Sequence, residues 1–477
     1  MARTITRSGV ASAFVAVLVA LFCVALIKFS DQLAATAVLL LFLVGLRLRS
    51  RSAGLVALWC FWLFTPMLRR IIELGGEAPA ADPLAVMPII ATGLLAVMEL
   101  QENRLNARAR TILILAVGGI LLGVPLGLTI DPAATTFAAM AYVAGVSAFV
   151  IGWGDEIRGE RTTLERFLTI GLVPIALYGI AQYFLPFTPW DAQWVDRVSQ
   201  AGLGSIISPQ EEKIRVYGTL NSPFTFAIVL SIGIIFALAA RRKFGARMLV
   251  LLPLVLALAL TYVRSAWVSL VVGLIVYAAC GSDRSATRTV VGVFVCLAAV
   301  VVLGGSNPTT AAFSERITSL GDLNSDTSAQ DRLGVSARLV PESVANPFGT
   351  GLGQAGLAAN LSESKEEGVV DIDNGYLAIL YQCGPLAFLL VICAFVYSVR
   401  AAIGALERAS PDERPYRAAV VAILLMMLVA EASGDVMFGL PGVIFWYLAG
   451  SSVAACRTEK AALPINSREP LASGAPA

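Results

Sequence analysis

Apolar residues fall into long runs separated by short polar breaks along almost the whole chain, from Ser8 to Ala455. A helix crossing the hydrocarbon core of a bilayer needs about 20 such residues. Fourteen runs approach that length: 8–27, 33–47, 52–68, 83–99, 111–130, 133–152, 166–185, 222–240, 248–262, 265–280, 287–304, 375–399, 416–432 and 436–455. They predict an all-α, polytopic integral membrane protein of about 14 transmembrane helices, built as a single membrane domain over 1–456. Two polar stretches interrupt the pattern, at 186–221 and 305–375, and read as loops on one side of the membrane. A structureless connection as long as the second needs a reason. Within it, Phe313, Ile317 and Leu320 recur at helical spacing and predict a short amphipathic helix on the membrane face. A helix over 331–343 would put Asp331, Arg338 and Glu342 on one face. Residues 457–477, with Pro464, Pro470 and Pro476, read as a disordered tail.

Composition agrees. The chain is 57% hydrophobic and 14% charged, with mean hydropathy +0.78, whereas a soluble domain is nearer a quarter charged. The net charge of +2 hides an asymmetry. With the N-terminus in the cytoplasm and the loops alternating, most Lys and Arg fall inside and most Asp and Glu outside, as the positive-inside rule requires. Both termini are then cytoplasmic, and 305–375 is external (periplasmic). The ambiguous stretch is 248–280, which is nearly unbroken apolar sequence around the single charge of Arg264. Two spans joined by a tight turn at Tyr262–Arg264 keep the acidic 305–375 loop outside, whereas one span would place it inside. Met1–Arg7 followed by an apolar run reads as an uncleaved first span. The seven cysteines lie in or at the ends of spans, so no disulfide framework is expected. Histidine is absent, which removes the commonest proton shuttle and metal ligand. No metal or other cofactor is expected.

Candidate chemistry sits at the polar breaks. An arginine within apolar sequence is costly, roughly 2.5–3.5 kcal/mol on insertion scales. Arg264 is therefore either a snorkelling residue at a hairpin turn or a cation facing an anionic group, with Trp267 suited to headgroup level. Arg215 either pairs with Glu211 or Glu212, or serves as a second phosphate ligand beside Asn221 and a helix start at Ser222–Pro223. Arg332 and Arg338 either bridge neighbouring acids or bind anionic substrate. Gly349, Gly351 and Gly353 offer a turn where backbone could approach a ligand. Asp373 and Asn374 either cap the following helix or orient and deprotonate a sugar hydroxyl, a role Asp371 could share.

Four segments occur in order over about 205–400: GTLNSPFTFAIVL, TYVRSAW, the DRLGVSARL–PFGTGLGQ loop and DNGYLAILYQCGPLAFLL. Together they resemble the O-antigen ligase/polymerase superfamily. The resemblance implies a GT-C-like, metal-independent glycosyltransferase of the bacterial inner membrane. Such enzymes take a glycan from an undecaprenyl-diphosphate carrier at the periplasmic face and invert the anomeric carbon. It implies that Arg215 and Arg264 hold the diphosphate leaving group, and that a loop arginine, Arg338 or its competitor Arg332, assists. Lipopolysaccharide ligases carry His-Asn where this chain has Asp373-Asn374. The departure favours a polysaccharide polymerase whose donor and acceptor are both undecaprenyl-diphosphate-linked oligosaccharides. A ligase or protein O-oligosaccharyltransferase is the alternative, and a lipid-linked oligosaccharide flippase the rival from another class. Implied partners are the bilayer and the pathway's chain-length co-polymerase and flippase; no nucleic acid is expected.

Overall fold

The computed structural model describes residues 32–75, 83–200, 207–208, 213–240, 242–281, 292, 327–359 and 372–458. The runs 8–27 and 287–304, the Phe313–Leu320 segment, Asp371 and the tail beyond Thr458 lie outside the described residues. Apart from a two-residue antiparallel ladder, Ile207–Ser208 with Lys213–Ile214, the described regular structure is helical.

The helices run in chain order as α1 (Gln32–Arg49), α2 (Arg51–Ile72), α3 (Pro83–Glu102), α4 (Ala107–Leu121), α5 (Val124–Ile130) and α6 (Pro132–Arg158). There follow α7 (Thr162–Arg166), a π turn, α8 (Leu172–Phe184), α9 (Pro189–Gln200), α10 (Pro223–Ala239), α11 (Phe244–Leu260) and α12 (Arg264–Cys280). The last are α13 (Thr327–Ala345), α14 (Gly356–Ala359), α15 (Gly375–Glu407), α16 (Arg414–Ala430) and α17 (Leu440–Thr458). Among the described residues, 8 helical stretches are long and apolar enough to cross a membrane, and four shorter apolar helices accompany them. The protein is membrane-integral. Each predicted run within the described residues coincides with one of these stretches, whereas the total of 14 rests on the sequence pattern alone.

The expected hairpin at 262–264 is present. α11 ends at Leu260 and α12 begins at Arg264. Tyr262 turns the chain with φ 53°, the one non-glycine residue at positive φ among those described.

One apolar core runs from Ala35 in α1 to Ala454 in α17. Small residues allow its closest approach. A Cβ on Gly152 of α6 would collide with the Tyr447 carbonyl of α17, and one on Gly450 would collide with the Phe149 carbonyl. Close backbone approach through small residues is how helices associate where lipid removes the hydrophobic drive.

Two spans are broken. The run 111–130 splits at Leu122–Gly123, ahead of Pro125, and α15 kinks at Gly384 (φ 83°) ahead of Pro385. A proline lacks the N–H that would satisfy the carbonyl one turn earlier. At Pro385 the segment after α13 supplies the missing donor, to Tyr381 O, and it adds bonds to Gln382 O and to Gly123 O, the latter already accepting from Gly127 N–H at 3.2 Å. Thr350 N–H donates to Tyr381 O at 2.9 Å, Gly351 N–H to Gln382 O at 3.0 Å and Leu352 N–H to Gly123 O at 2.8 Å. Gly353 N–H reaches Gln382 Oε1 at 2.8 Å, and Thr135 Oγ1 donates to Leu352 O at 2.8 Å. Non-helical backbone at membrane depth survives only when protein satisfies it in this way.

Candidate functional site

The polar groups collect at two ends of the bundle. One end carries the N-termini of α2 and α16 and the C-termini of α3 and α6. There Arg47 pairs with Glu99 at 2.7 Å, and Arg51 bridges Glu99 and Asp155, the latter at 3.0 Å. Tyr447 donates to Asp155 at 2.8 Å. Glu156 accepts from Arg417 at 3.1 Å, Arg161 at 3.1 Å and Ser451 at 2.7 Å.

The other end carries Arg264. Here the chain from Ile214 to Asn221 forms a strap across the bundle. Gly218, at φ 59°, makes its turn, and a Cβ there would press on the Phe226 ring. Its N–H donates to Gln182 Oε1 at 2.8 Å, and its carbonyl accepts from Arg70 at 3.2 Å and Gln182 at 3.1 Å. Arg70 is itself fixed by Asp191 of α9 at 2.8 Å, with both side chains buried. The guanidinium lies over the Tyr217 ring, 4.9 Å from its centroid. Asp191 also accepts from Tyr178 at 2.6 Å and Gln182 at 3.0 Å. Thr219 anchors the strap to Leu63 O at 2.6 Å. The strap then becomes α10, with Ser222 as cap and Pro223 in the first turn, as the motif predicts.

One backbone bond joins this strap to the hairpin: Val216 N–H donates to Leu260 O at 3.3 Å. Tyr183 and Tyr262 share a hydroxyl contact of 3.1 Å across the same junction. The fold thereby brings the half-buried Arg215 and the half-buried Arg264 into one neighbourhood. Asn221, also half-buried, has its Oδ1 enclosed with no hydrogen-bond partner among the described residues. Trp267 donates its indole N–H to Leu258 O at 3.2 Å, stapling α12 to α11.

Asp373 and Asn374 stand at the start of α15 at the same end. Asn374 caps the helix, accepting from Leu377 N–H at 3.1 Å, and Asp373 is exposed. The Phe224 ring packs against Gly434, and the Glu431 carboxylate against Gly375. These contacts run from the strap, through the end of α16, to the start of α15. Arg338 is exposed on α13. Its neighbour Leu339 clusters with Ile372 and Leu377, so α13 leans on the Asp373 segment. Arg332 lies on the same helix, and its side chain lies outside the described residues. Gly351 and Gly353 are at φ 103° and 89°, and the space a side chain would need is filled by the backbone of Gly127 and of Ala134–Thr135. The close approach expected there is made to protein backbone.

Sequence reading overlooked two acids. Glu431 ends the run 416–432 and is fully buried. Its Oε2 accepts from Val436 N–H at 2.8 Å and Met437 N–H at 3.2 Å, and its Oε1 has no partner among the described residues. Asp435 accepts from the Tyr142 hydroxyl and, at 3.1 Å, from Phe438 N–H. Asp435 lies in the turn between α16 and α17, and burial holds its carboxyl above the usual carboxylate range. The signal available was an acid closing an apolar run, followed by Gly434-Asp435. Among the described residues no cluster of His, Cys, Asp or Glu has metal-site geometry.

The fold and this end together define a polytopic membrane protein with an arginine-bearing polar face. Residues 248–392 match the family model described as O-antigen ligase. The match takes in α11, the Arg264 turn, α12, α13, the glycine segment and the first half of α15. It supports the O-antigen ligase/polymerase superfamily. No curated protein matches the chain.

Proposed function

We propose that the Arg264 end faces the periplasm of a bacterial inner membrane. There it transfers a glycan from an undecaprenyl-diphosphate carrier to an acceptor hydroxyl, in repeated cycles that build a polysaccharide. The observation that carries this reading is the Val216–Leu260 bond. It joins the Arg215 strap to the Arg264 hairpin at the end of the molecule where Asp373 stands. In the proposed step the acceptor oxygen attacks the anomeric carbon from the face opposite the carrier. The anomeric carbon–oxygen bond to phosphate breaks, and its electron pair leaves with the diphosphate. Arg215 and Arg264 offset the charge that develops there, guanidinium being matched to phosphate oxygens. The acceptor proton passes to Asp373, which is exposed and so within reach of the glycan of a lipid-linked acceptor. Arg338 and Arg332 on α13 flank the donor. Asn221, with its enclosed oxygen, contacts the sugar or a water.

Asp373 at the position of the ligases' histidine, in a chain with no histidine, favours polymerase over ligase. The test is purified protein in detergent with a polyprenyl-diphosphate-linked repeat unit. A glycan ladder with released carrier diphosphate is expected. A single transfer to a lipid core or a protein would make it a ligase. No product in detergent, with carrier translocation in sealed vesicles, would make it a flippase.

A further inference from the structure

The 340–353 part of the long polar loop does not behave as a solvated loop. α13 presents three flanks. Leu339 and Ser343 are buried on the protein, and Arg338 and Glu342 are exposed on a second side. On the third, Val340 and Val344 are 42% and 59% exposed, and Phe348, in the turn just after α13, is 72% exposed. Large apolar side chains held open in a row need a cover.

Depth indicates what covers them. The segment just after Phe348 is bonded to α15 at Tyr381 and Gln382 and to the α4–α5 break at Gly123. At 1.5 Å rise per residue, Gly384 lies about 24 Å along its helix from Arg400, and Gly123 about 20 Å from Arg110. Both arginines are exposed at the opposite end of the bundle, where they mark the far boundary of the hydrocarbon. That core is about 30 Å thick, so both helices place 349–353 inside it. The apolar flank is also continuous with a lipid-facing surface. The Pro347 carbonyl packs on Gly384, two residues before the exposed Leu386 and five before the exposed Leu389.

We propose that 340–353 is a re-entrant arm whose Val340, Val344 and Phe348 flank is immersed in the acyl chains of the adjacent leaflet. Arg338 and Glu342 then stay on its water side. The amphipathic pattern fits an interfacial helix, with polar and apolar flanks on opposite sides. The inference does not depend on the reaction proposed above. The full chain, reconstituted in phosphatidylethanolamine/phosphatidylglycerol vesicles, is spin-labelled at Val344→Cys, Phe348→Cys, Glu342→Cys and Leu389→Cys, with the unsubstituted protein as background. Labels at 344 and 348 should match Leu389→Cys, colliding readily with oxygen and several-fold less with a water-soluble nickel chelate than the label at 342. Nickel access at 344 and 348 equal to that at 342 overturns the proposal. If a labelled variant fails to fold, Val344→Trp decides. Brominated acyl chains should quench its added emission above that of the native tryptophans, and an unchanged signal overturns the immersed arm.

Discussion

The two polar ends of the bundle both carry Arg–carboxylate pairs, but only the Arg264 end also buries an acid, Glu431, with no cation in salt-bridge distance among the described residues. At the Arg51 end, cations and carboxylates saturate one another. Arg47 and Arg51 share Glu99, Arg51 also holds Asp155, and Arg417 and Arg161 share Glu156. At the Arg264 end Arg69 and Arg197 share Glu73 and the buried Arg70–Asp191 pair fixes the strap, while Glu431 and Asp435 are held by backbone amides and a phenol. Among the described residues, neither of these two acids has a cation within salt-bridge distance. Saturated pairs hold structure. Buried acids without a paired cation are a feature of functional sites, and Tyr262 at positive φ beside Arg264 accords with the site proposed at this end, since strain gathers at functional sites.

The sharpest break of the comparison is at Asp373. Asp373→Asn should lower glycan transfer by about 10²–10⁴, the range of general-base catalysis, without lowering the melting temperature in detergent. Full transfer at equal folded yield would remove the base role. Arg417→Ala should do the reverse. Glu156 would keep Arg161 and Ser451 but lose its buried partner, so a cost below the roughly 3–5 kcal/mol of a fully stranded buried charge is expected, seen as a lower melting temperature with transfer per folded molecule unchanged.

Much of this was legible in the sequence. The hairpin at Tyr262–Arg264 follows from charge parity, because only two spans keep the acidic loop on one side. The Ser222–Pro223 start and the Asn374 cap follow from local chemistry. Arg70–Asp191 was not legible: the partners lie on α2 and α9, and no local pattern links them. The glycines at 349–353 misled for another reason. Positive φ and close approach look the same in sequence whether the neighbour is a phosphate or a helix carbonyl. The carbonyl that Pro385 leaves free at Tyr381, and the helix break at Gly123 on which Leu352 N–H also docks, become visible only when both are seen beside the turn. Glu431 was absorbed into an apolar run because one acid barely alters the hydropathy of a span.

The glycine segment supplies a smaller test. Gly351→Ala meets both a positive φ and the Gly127 backbone, so a loss of about 1–3 kcal/mol is expected. Gly245→Ala, in open space on α11, should leave the melting temperature level or slightly raised.

The smallest effect concerns pH. Burial makes Asp435 bind its proton more tightly folded than unfolded, at about 4. The folded state therefore carries the extra proton above about 4, and stability should fall as pH rises from there until Asp435 is ionised in the folded state too. Asp435→Asn should flatten that part of the melting temperature–pH curve and raise stability at neutral pH. An unchanged slope would place the titration elsewhere.

The central claim is that Arg215 and Arg264 form one diphosphate-binding face. Its most direct test is Arg264→Ala and Arg215→Ala, each purified beside Arg51→Lys and assayed for glycan transfer from a polyprenyl-diphosphate donor. Loss of one charge-stabilising group in such a site costs about 10²–10³ in rate. The account predicts that drop in both alanine variants at normal melting temperature, with Arg51→Lys retaining transfer per folded molecule. Transfer at the unsubstituted rate in either alanine variant would contradict it.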